Sequence, residues 1–316
     1  LNRTRNTAAS ADSTIVVPGA ASGLSQLARV LVRQGIKAVA VEEPGFPFHY
    51  AILRREGLRP APVPVDADGI DVDALAATTL TAVLVTPAHQ YPLGIVMSPQ
   101  RRTSLVRWAR QRGAWIIEDD YDGEFRYDRR PVGALQGIAL DCVAYLGTTS
   151  KALGAGVRVA WFVLPPELRT LMAEQRGRDS DVSQLTQAVL ARFIASGDFD
   201  RHVRRVRPVY RRRRDHLLRA LHTAIERPDI RGVSAGLHLT VALPDAAESP
   251  IVRRALEDHG LALWGLRQHY QSSDAADGLV LGFSRTTTNF DDSVARLTFA
   301  LDRDVHSGET AAPTLL

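Results

Sequence analysis

Val143-Ala144-Tyr145-Leu146-Gly147-Thr148-Thr149-Ser150-Lys151-Ala152-Leu153-Gly154 runs from a short apolar segment into a small, hydroxylated turn that carries a lysine. Lysine is rare in this chain: of its 39 basic residues, all but Lys37 and Lys151 are arginine. An arginine stays protonated, with a pKa above about 12, and cannot act as a nucleophilic amine. A lysine can lose its proton when desolvated and condense with a carbonyl. The chain either keeps Lys151 for that chemistry or simply retains a surface lysine there. Small hydroxylated neighbours suit a tight loop that also touches a phosphate.

Outward from this turn, apolar and β-branched runs predict strands at residues 14–17, 38–41, 82–85, 115–117, 143–146 and 157–164. Their hydrophobicity is near-continuous, as for strands covered on both faces. Residues 22–34, 48–56, 99–112 and 166–176 predict helices between them. Such alternation implies an α/β fold with a doubly wound, mostly parallel central sheet flanked by helices. Ligands in such sheets gather at loops after the carboxyl ends of strands. Beyond about residue 198 the pattern changes to a long arginine-rich helix at 199–225, short strands near 237–243, 261–264 and 278–283, and a closing helix at 290–303. The expected organisation is a large domain over 1–198, a smaller α+β C-terminal domain over 199–303, and a polar tail at 304–316.

The bulk numbers set the class. The 316 residues are 45% hydrophobic and 23% charged, ordinary for a globular protein and long enough for more than one core. No run approaches the ~18–20 apolar residues of a membrane span. The start, Leu1-Asn2-Arg3-Thr4-Arg5, has no apolar segment behind it and does not read as a signal peptide. It also lacks an initiator methionine, so a piece of something longer is expected. The single cysteine, Cys142, forms no intrachain disulfide, suits a reducing cytoplasm and lies in an apolar run that reads as core. The net charge of +4 is concentrated in Arg201–Arg214. Val203, Val206, Tyr210, Leu217 and Leu218 interleave there at helical spacing, which favours a solvated helix face over a phosphate-binding surface.

Four loops carry chemistry. Pro18-Gly19-Ala20-Ala21-Ser22-Gly23 is a small-residue turn opening a helix, where backbone N–H groups and the helix dipole suit a phosphate. Glu118-Asp119-Asp120-Tyr121-Asp122 crowds acidic residues onto a strand end. Metal ligation is one reason for that, a carboxylate holding a heterocyclic nitrogen protonated is another, and a hydrated turn suits Asp120 and Asp122 better than Asp119. Thr86-Pro87-Ala88-His89-Gln90-Tyr91-Pro92-Leu93-Gly94 is a rigid polar loop in which Tyr91-Pro92 is a candidate cis bond. The fourth is the Lys151 loop, with Arg158 seven residues later.

Taken together, EDDYD at 118–122, GTTSKALGAGVR at 147–158, VTPAHQYPLG at 85–94 and EEPGFP at 42–47 resemble the aminotransferase-like domain of MocR/GabR-type regulators of the GntR superfamily. These belong to the fold-type-I transferases dependent on pyridoxal 5′-phosphate (PLP), the class I/II aminotransferases. The likeness runs from about residue 15 to 301. The wording of the 86–94 loop, EDDYDGEFRY at 118–127 and the VRRVRPVYRRRRDHL helix favour the regulator branch. The resemblance implies that Lys151 forms the imine with PLP, Asp119 pairs with the pyridine nitrogen, and Tyr121 hydrogen-bonds the ring's phenolic oxygen. Phe46 would stack on the ring. The phosphate would take Gly19, Ala20 and Ala21 backbone donors, the Thr148 and Ser150 hydroxyls and the Arg158 guanidinium. Partial burial and the Arg158 cation would both favour a neutral Lys151 amine.

Three departures qualify the match. Ordinary aminotransferases place asparagine where Tyr91 stands, so His89 either approaches the cofactor or only holds the loop. Val280 occupies the place of the arginine that grips a substrate carboxylate in many relatives, leaving Arg267 and Arg285 as substitutes. Residues 1–14 cannot form the winged-helix DNA-binding domain of a complete regulator, so DNA contact would need a domain absent from this chain. The resemblance therefore implies an effector-sensing domain that forms an external aldimine with a small amino compound, as a cytoplasmic homodimer, without metal or membrane. Two rivals stand: a free-standing aminotransferase acting on an amino acid, and a degenerate interaction module that has lost its cofactor.

Overall fold

Strand alternation sorts the apolar side chains of the computed structural model onto two sheet faces. It describes residues 1–127, 132–175, 182–243, 247–284 and 289–305. They fall into two units: Leu1–Arg207 with Gly232–Gly236, and Pro208–Arg231 with the described residues from Leu237 onward.

The first unit opens with a single helical turn, α1 (Asn2–Arg5), then β1 (Thr14–Val17), α2 (Ala20–Arg33), β2 (Ala38–Glu43) and α3 (Pro47–Arg55). It continues through β3 (Arg59–Asp66), β4 (Gly69–Ile70), α4 (Val72–Ala76), β5 (Ala82–Val85), α5 (Pro99–Arg112), β6 (Trp115–Asp120), β7 (Val143–Thr148) and β8 (Ala160–Val163). Helices α6 (Pro166–Gln175), α7 (Gln184–Ala195) and α8 (Asp198–Ala224) follow. The eight strands form one sheet in the order β1-β8-β7-β6-β5-β2-β3-β4. Its centre is parallel, from β7 through β6, β5 and β2 to β3, while β8 runs antiparallel between β7 and β1. The α/β fold expected from the alternation is therefore present, with one reversed strand.

One face buries Val39, Val41, Leu84, Ile117, Ala144, Leu146 and Phe162 against Leu24, Leu27 and Leu31 of α2 and Leu168 and Met172 of α6. The other buries Ala40, Val83, Val85, Ile116 and Val143 against Leu105, Trp108 and Ala109 of α5. Neighbouring strand positions thus face opposite layers, the geometric reason these strands lack a polar side. Helix α5 begins at Ser98, whose hydroxyl accepts from the Arg101 N–H at 3.2 Å, and ends on Gly113 at φ 58.

The structure differs from the sequence expectation at several places, among them the strand expected near 261–264, which forms only at Trp264–Gly265. The strand expected over 157–164 starts only at Ala160, because Ala155–Val157 form a 3-10 turn and Arg158 is left-handed at φ 53. Strand β3 is absent from that expectation, since Pro60, Pro62 and Pro64 argue against a strand. They are tolerated by parity: Arg59 turns its N–H to Lys37 O at 2.9 Å, so the alternate proline positions face away from β2. Helix α7 is absent from it too; it has no buried residue, and Leu185, Val189 and Ile194 lie exposed on it.

The second unit contains the rest of α8 from Pro208, then β9 (Asp229–Arg231), β10 (His238–Ala242), α9 (Glu248–Glu257), β11 (Trp264–Gly265), β12 (Gly278–Gly282) and α10 (Phe290–Val305). Its four strands form an antiparallel sheet in the order β11-β12-β10-β9. Helix α10 runs to Val305, and the rest of the expected tail lies outside the described residues. Among the described residues no helix is long and apolar enough to cross a membrane.

Candidate functional site at the carboxyl edge of the sheet

The register brings the chemistry-bearing loops to one edge. Val17 at the end of β1 pairs with Ala160, and Ala160 pairs with Thr148 at the end of β7. Gly147 lies opposite Asp120 at the end of β6, and Val85 at the end of β5 lies opposite Glu118. Because β8 is antiparallel, Arg158 enters this edge from the start of its strand while the other loops leave from strand ends. The loops carrying Gly19, Phe46, His89, Asp119 and Lys151 thus share the carboxyl edge of the parallel strands.

Alternation along β6 resolves the crowding of carboxylates. Glu118 and Asp120 share a face with Ile116, whereas Asp119 shares one with Ile117. Glu118 accepts the Leu135 and Gln136 N–H groups at 2.9 and 3.0 Å, and burial pushes its carboxyl up to about 7. Asp120 is held by Arg5 and by the Tyr145 hydroxyl at 2.6 Å. Neither Asp120 nor Asp122 is a hydrated turn residue, as the sequence had allowed; they are 5% and 2% exposed.

Asp119 is buried at the edge, and the His49 Nε2 lies 3.0 Å from its Oδ2. Its Oδ1 is buried with no hydrogen-bond partner. A buried carboxylate oxygen left unmatched is costly, so the atom is shaped to receive a donor. His49 stands three residues after Phe46 on the first turn of α3, and the sequence reading does not find it. Phe46 precedes that helix with its ring 5.0 Å from Tyr91 at 77° and 5.1 Å from His49 at 89°. Beneath them Glu42 is wholly buried, accepting the Thr86 hydroxyl at 2.5 Å and the Thr86 N–H at 3.1 Å. Burial pushes its carboxyl up to about 8, only partly offset by Thr86. Gln90 Nε2 donates to Pro44 O at 2.7 Å and Tyr91 O at 2.8 Å, tying together two loops whose Glu43-Pro44 and Tyr91-Pro92 bonds are both cis.

Tyr121 donates its hydroxyl to His89 O at 3.0 Å, and burial raises its phenol well above the ordinary range. His89 Nδ1 lies 3.0 Å from that hydroxyl and 2.8 Å from Asp122 Oδ2.

The remaining candidates form a cradle. Gly19 caps α2 at φ 92 with no side-chain cap, which leaves the first-turn N–H groups of Ala20 and Ala21 open to a ligand. A Cβ on Gly19 would lie 2.9 Å from Arg158 Cζ and would displace the guanidinium from this turn, and the φ of 92 itself favours glycine. Arg158 Nη2 donates to Pro18 O at 3.0 Å. Thr148 Oγ donates to Ser150 Oγ at 3.0 Å, and the Ser150 N–H donates to Thr148 Oγ at 3.1 Å. Lys151 follows directly and is exposed, so the partial burial expected from sequence is not met. It leaves the tight Thr148–Ser150 turn beside the exposed stretch 154–156.

Arg267 belongs to the second unit, where its guanidinium pairs with Asp277 at 3.0 and 2.9 Å. Arg285 lies outside the described residues.

An eight-stranded sheet with its reversed β8, a lysine loop after β7 and an aspartate near the end of β6 define an aminotransferase-type domain. The family model for aminotransferase class I and II matches residues 1–270, and the chain belongs to that family. Its relatives include helix-turn-helix regulators, as the MocR-type resemblance implied. It is 35% identical over 86% of its length to the HTH-type pyridoxine biosynthesis transcriptional regulator PdxR of Corynebacterium glutamicum, covering 59% of that protein. It is 33% identical over 90% of its length to the probable rhizopine catabolism regulatory protein MocR of Rhizobium meliloti, covering 58% of it. The chain thus spans somewhat over half the length of these curated relatives. Among solved structures, the alpha-aminoadipate aminotransferase of Thermus thermophilus, complexed with N-(5′-phosphopyridoxyl)-L-leucine, superposes with a TM-score of 0.82 at 25% identity, over 92% of this chain and 77% of that one.

Proposed function

We propose that this domain binds PLP and uses it to detect a small amino compound, as the effector-sensing part of a MocR/GabR-type transcriptional regulator. The observation that carries this reading is the buried, unpartnered Asp119 Oδ1, fixed by His49 on its other oxygen at the sheet edge that also bears Lys151. A protonated ring nitrogen is the donor that atom lacks. Bound there, the cofactor would supply a carbonyl carbon for a primary amine and an electron-withdrawing ring.

The chain's own residues do the rest. Asp119 holds the ring nitrogen protonated, and His49 keeps the carboxylate aimed. Phe46 covers the ring face. Gly19, Ala20, Ala21, Thr148, Ser150 and Arg158 hold the phosphate through N–H, hydroxyl and guanidinium donors. Lys151 would offer its Nζ as the primary amine facing the cofactor's carbonyl carbon, and as a free amine it could hold or pass a proton there. Similarity to HTH-type regulators supports the sensing role. DNA recognition would belong to the part of such regulators that this chain does not span. The exposed apolar side chains Leu185, Val189 and Ile194 of α7 are consistent with a homodimer.

The test is spectral. Purified chain loaded with PLP is titrated with α- and ω-amino acids, with Lys151→Ala as control. The reading expects a saturable change in cofactor absorbance with some amino compound. No change with any amine, in protein that holds PLP, would refute the sensing role. Steady keto-acid production would instead favour a free-standing aminotransferase.

A further inference from the structure

His89, Tyr121 and Asp122 form a hydrogen-bonded cluster, two of whose members are buried, whose arrangement a cofactor contact alone does not explain. His89 and Asp122 are 4% and 2% exposed. Gly236 closes over them at φ 72: a Cβ there would fall 2.1 Å from His89 Cε1 and 2.6 Å from Asp122 Oδ2. That glycine is itself pinned, its N–H donating to Phe125 O at 2.7 Å and its carbonyl accepting the Tyr127 hydroxyl at 2.7 Å. The imidazole is thereby buried, so its hydrogen bond to Asp122 bears directly on which ring nitrogen carries a proton.

We propose that Asp122 and His89 are positioning residues, which together dictate where the Tyr121 hydroxyl hydrogen can point. An ionised carboxylate only accepts, so Asp122 Oδ2 at 2.8 Å requires a hydrogen on His89 Nδ1. That requirement holds whether the imidazole is neutral or charged. A protonated Nδ1 cannot accept from Tyr121, although the two lie 3.0 Å apart. The phenol must then receive from the ring and send its own hydrogen elsewhere, to His89 O, to Asp122 or to a ligand's oxygen. Without Asp122, Nδ1 would be free to become an acceptor and capture that hydrogen. The pair thus acts as an orienting dyad: the carboxylate sets the tautomer, and the tautomer sets the donor direction. It also gives a role to the loop in which Tyr91 stands where ordinary aminotransferases carry asparagine. The consequence for a cofactor's phenolic oxygen rests on the functional reading above; the tautomer assignment does not.

The test uses the intact chain with 15N-labelled histidine and long-range 1H–15N correlation, before and after PLP is added. The expected result is a protonated His89 Nδ1 in the free protein, assigned by loss of its signals in His89→Asn or by backbone connectivity. An unprotonated Nδ1 in the wild type overturns the proposal, and no variant need fold for that outcome to be read. In Asp122→Asn the Nδ1 proton should be lost, and PLP should bind about tenfold more weakly, the factor for one neutral hydrogen bond. Unchanged PLP affinity and tautomer in folded Asp122→Asn would also overturn it. A wild type that shows the protonated Nδ1 yet never binds PLP supports the tautomer assignment and sinks the functional reading instead.

Discussion

Replacing Glu42 by glutamine should stabilise the protein, and by an amount that grows with pH. Glu42 is fully buried on β2, and its carboxyl is pushed from 4.5 up to about 8. The native state therefore holds a proton that the unfolded chain releases above pH 4.5. The folded state binds more protons through this window, so stability falls as pH rises from about 4.5 to about 8. One pKa unit corresponds to about 1.4 kcal/mol. At pH 7, roughly two and a half units above the unfolded value, the cost is about 3 kcal/mol. Glutamine carries no such cost. Its carbonyl oxygen can accept from Thr86 as Oε2 does, and its amide takes the place of Oε1. The assay is urea unfolding of wild type and Glu42→Gln at several pH values from about 5.5 to about 7.5. The gap in favour of the variant should widen by about 1.4 kcal/mol per pH unit. Glu118 and Glu124, pushed up to about 7 by burial, give both proteins a similar background slope that cancels. A variant that is less stable by the same amount at every pH would refute the reasoning, since it would mean an ionised Glu42 held by Thr86.

Other expectations follow from the same geometry. Arg5→Ala leaves Asp120 buried without its cation and should cost about 3–5 kcal/mol in urea unfolding at pH 7. Gly19→Ala combines a φ of 92 with a Cβ 2.9 Å from Arg158 Cζ, so PLP affinity measured by equilibrium dialysis should fall at least about tenfold. Arg267→Ala removes a solvent-screened pair with Asp277 and should leave the urea unfolding midpoint nearly unchanged.

The sequence made the sheet legible where residues repeat a simple rule. Buried parallel strands are apolar on both faces, so β2, β5, β6 and β7 stood out, β1 was marked by its β-branched run, and α5 was bounded by its own caps. It hid elements whose logic depends on neighbours. The prolines of β3 read as a strand breaker until the hydrogen bonds show them on the side away from β2. Helix α7 lacks a buried face, so its pattern offers no stripe to detect. At the site, the loops were visible as small-residue or acidic strand ends. Their partners were not, because His49 and Arg5 meet Asp119 and Asp120 from far along the chain, Arg5 across 115 residues. The acidic cluster looked repulsive in one dimension; in three, alternation separates Asp119 from Glu118 and Asp120, and Arg5 and backbone N–H groups offset much of what remains. His49 left a faint trace, one helical turn beyond Phe46.

The central claim is that Lys151 is the residue that takes PLP, and the chain's near-absence of lysine makes this simple to test. Protein incubated with PLP is reduced with borohydride, digested, and searched by mass spectrometry for pyridoxyl-modified peptides. The account expects the label on Lys151, abolished in Lys151→Ala and strongly reduced in Asp119→Ala. Label on Lys37 or the terminal amine with none on Lys151, or no label in well-folded protein, would contradict it.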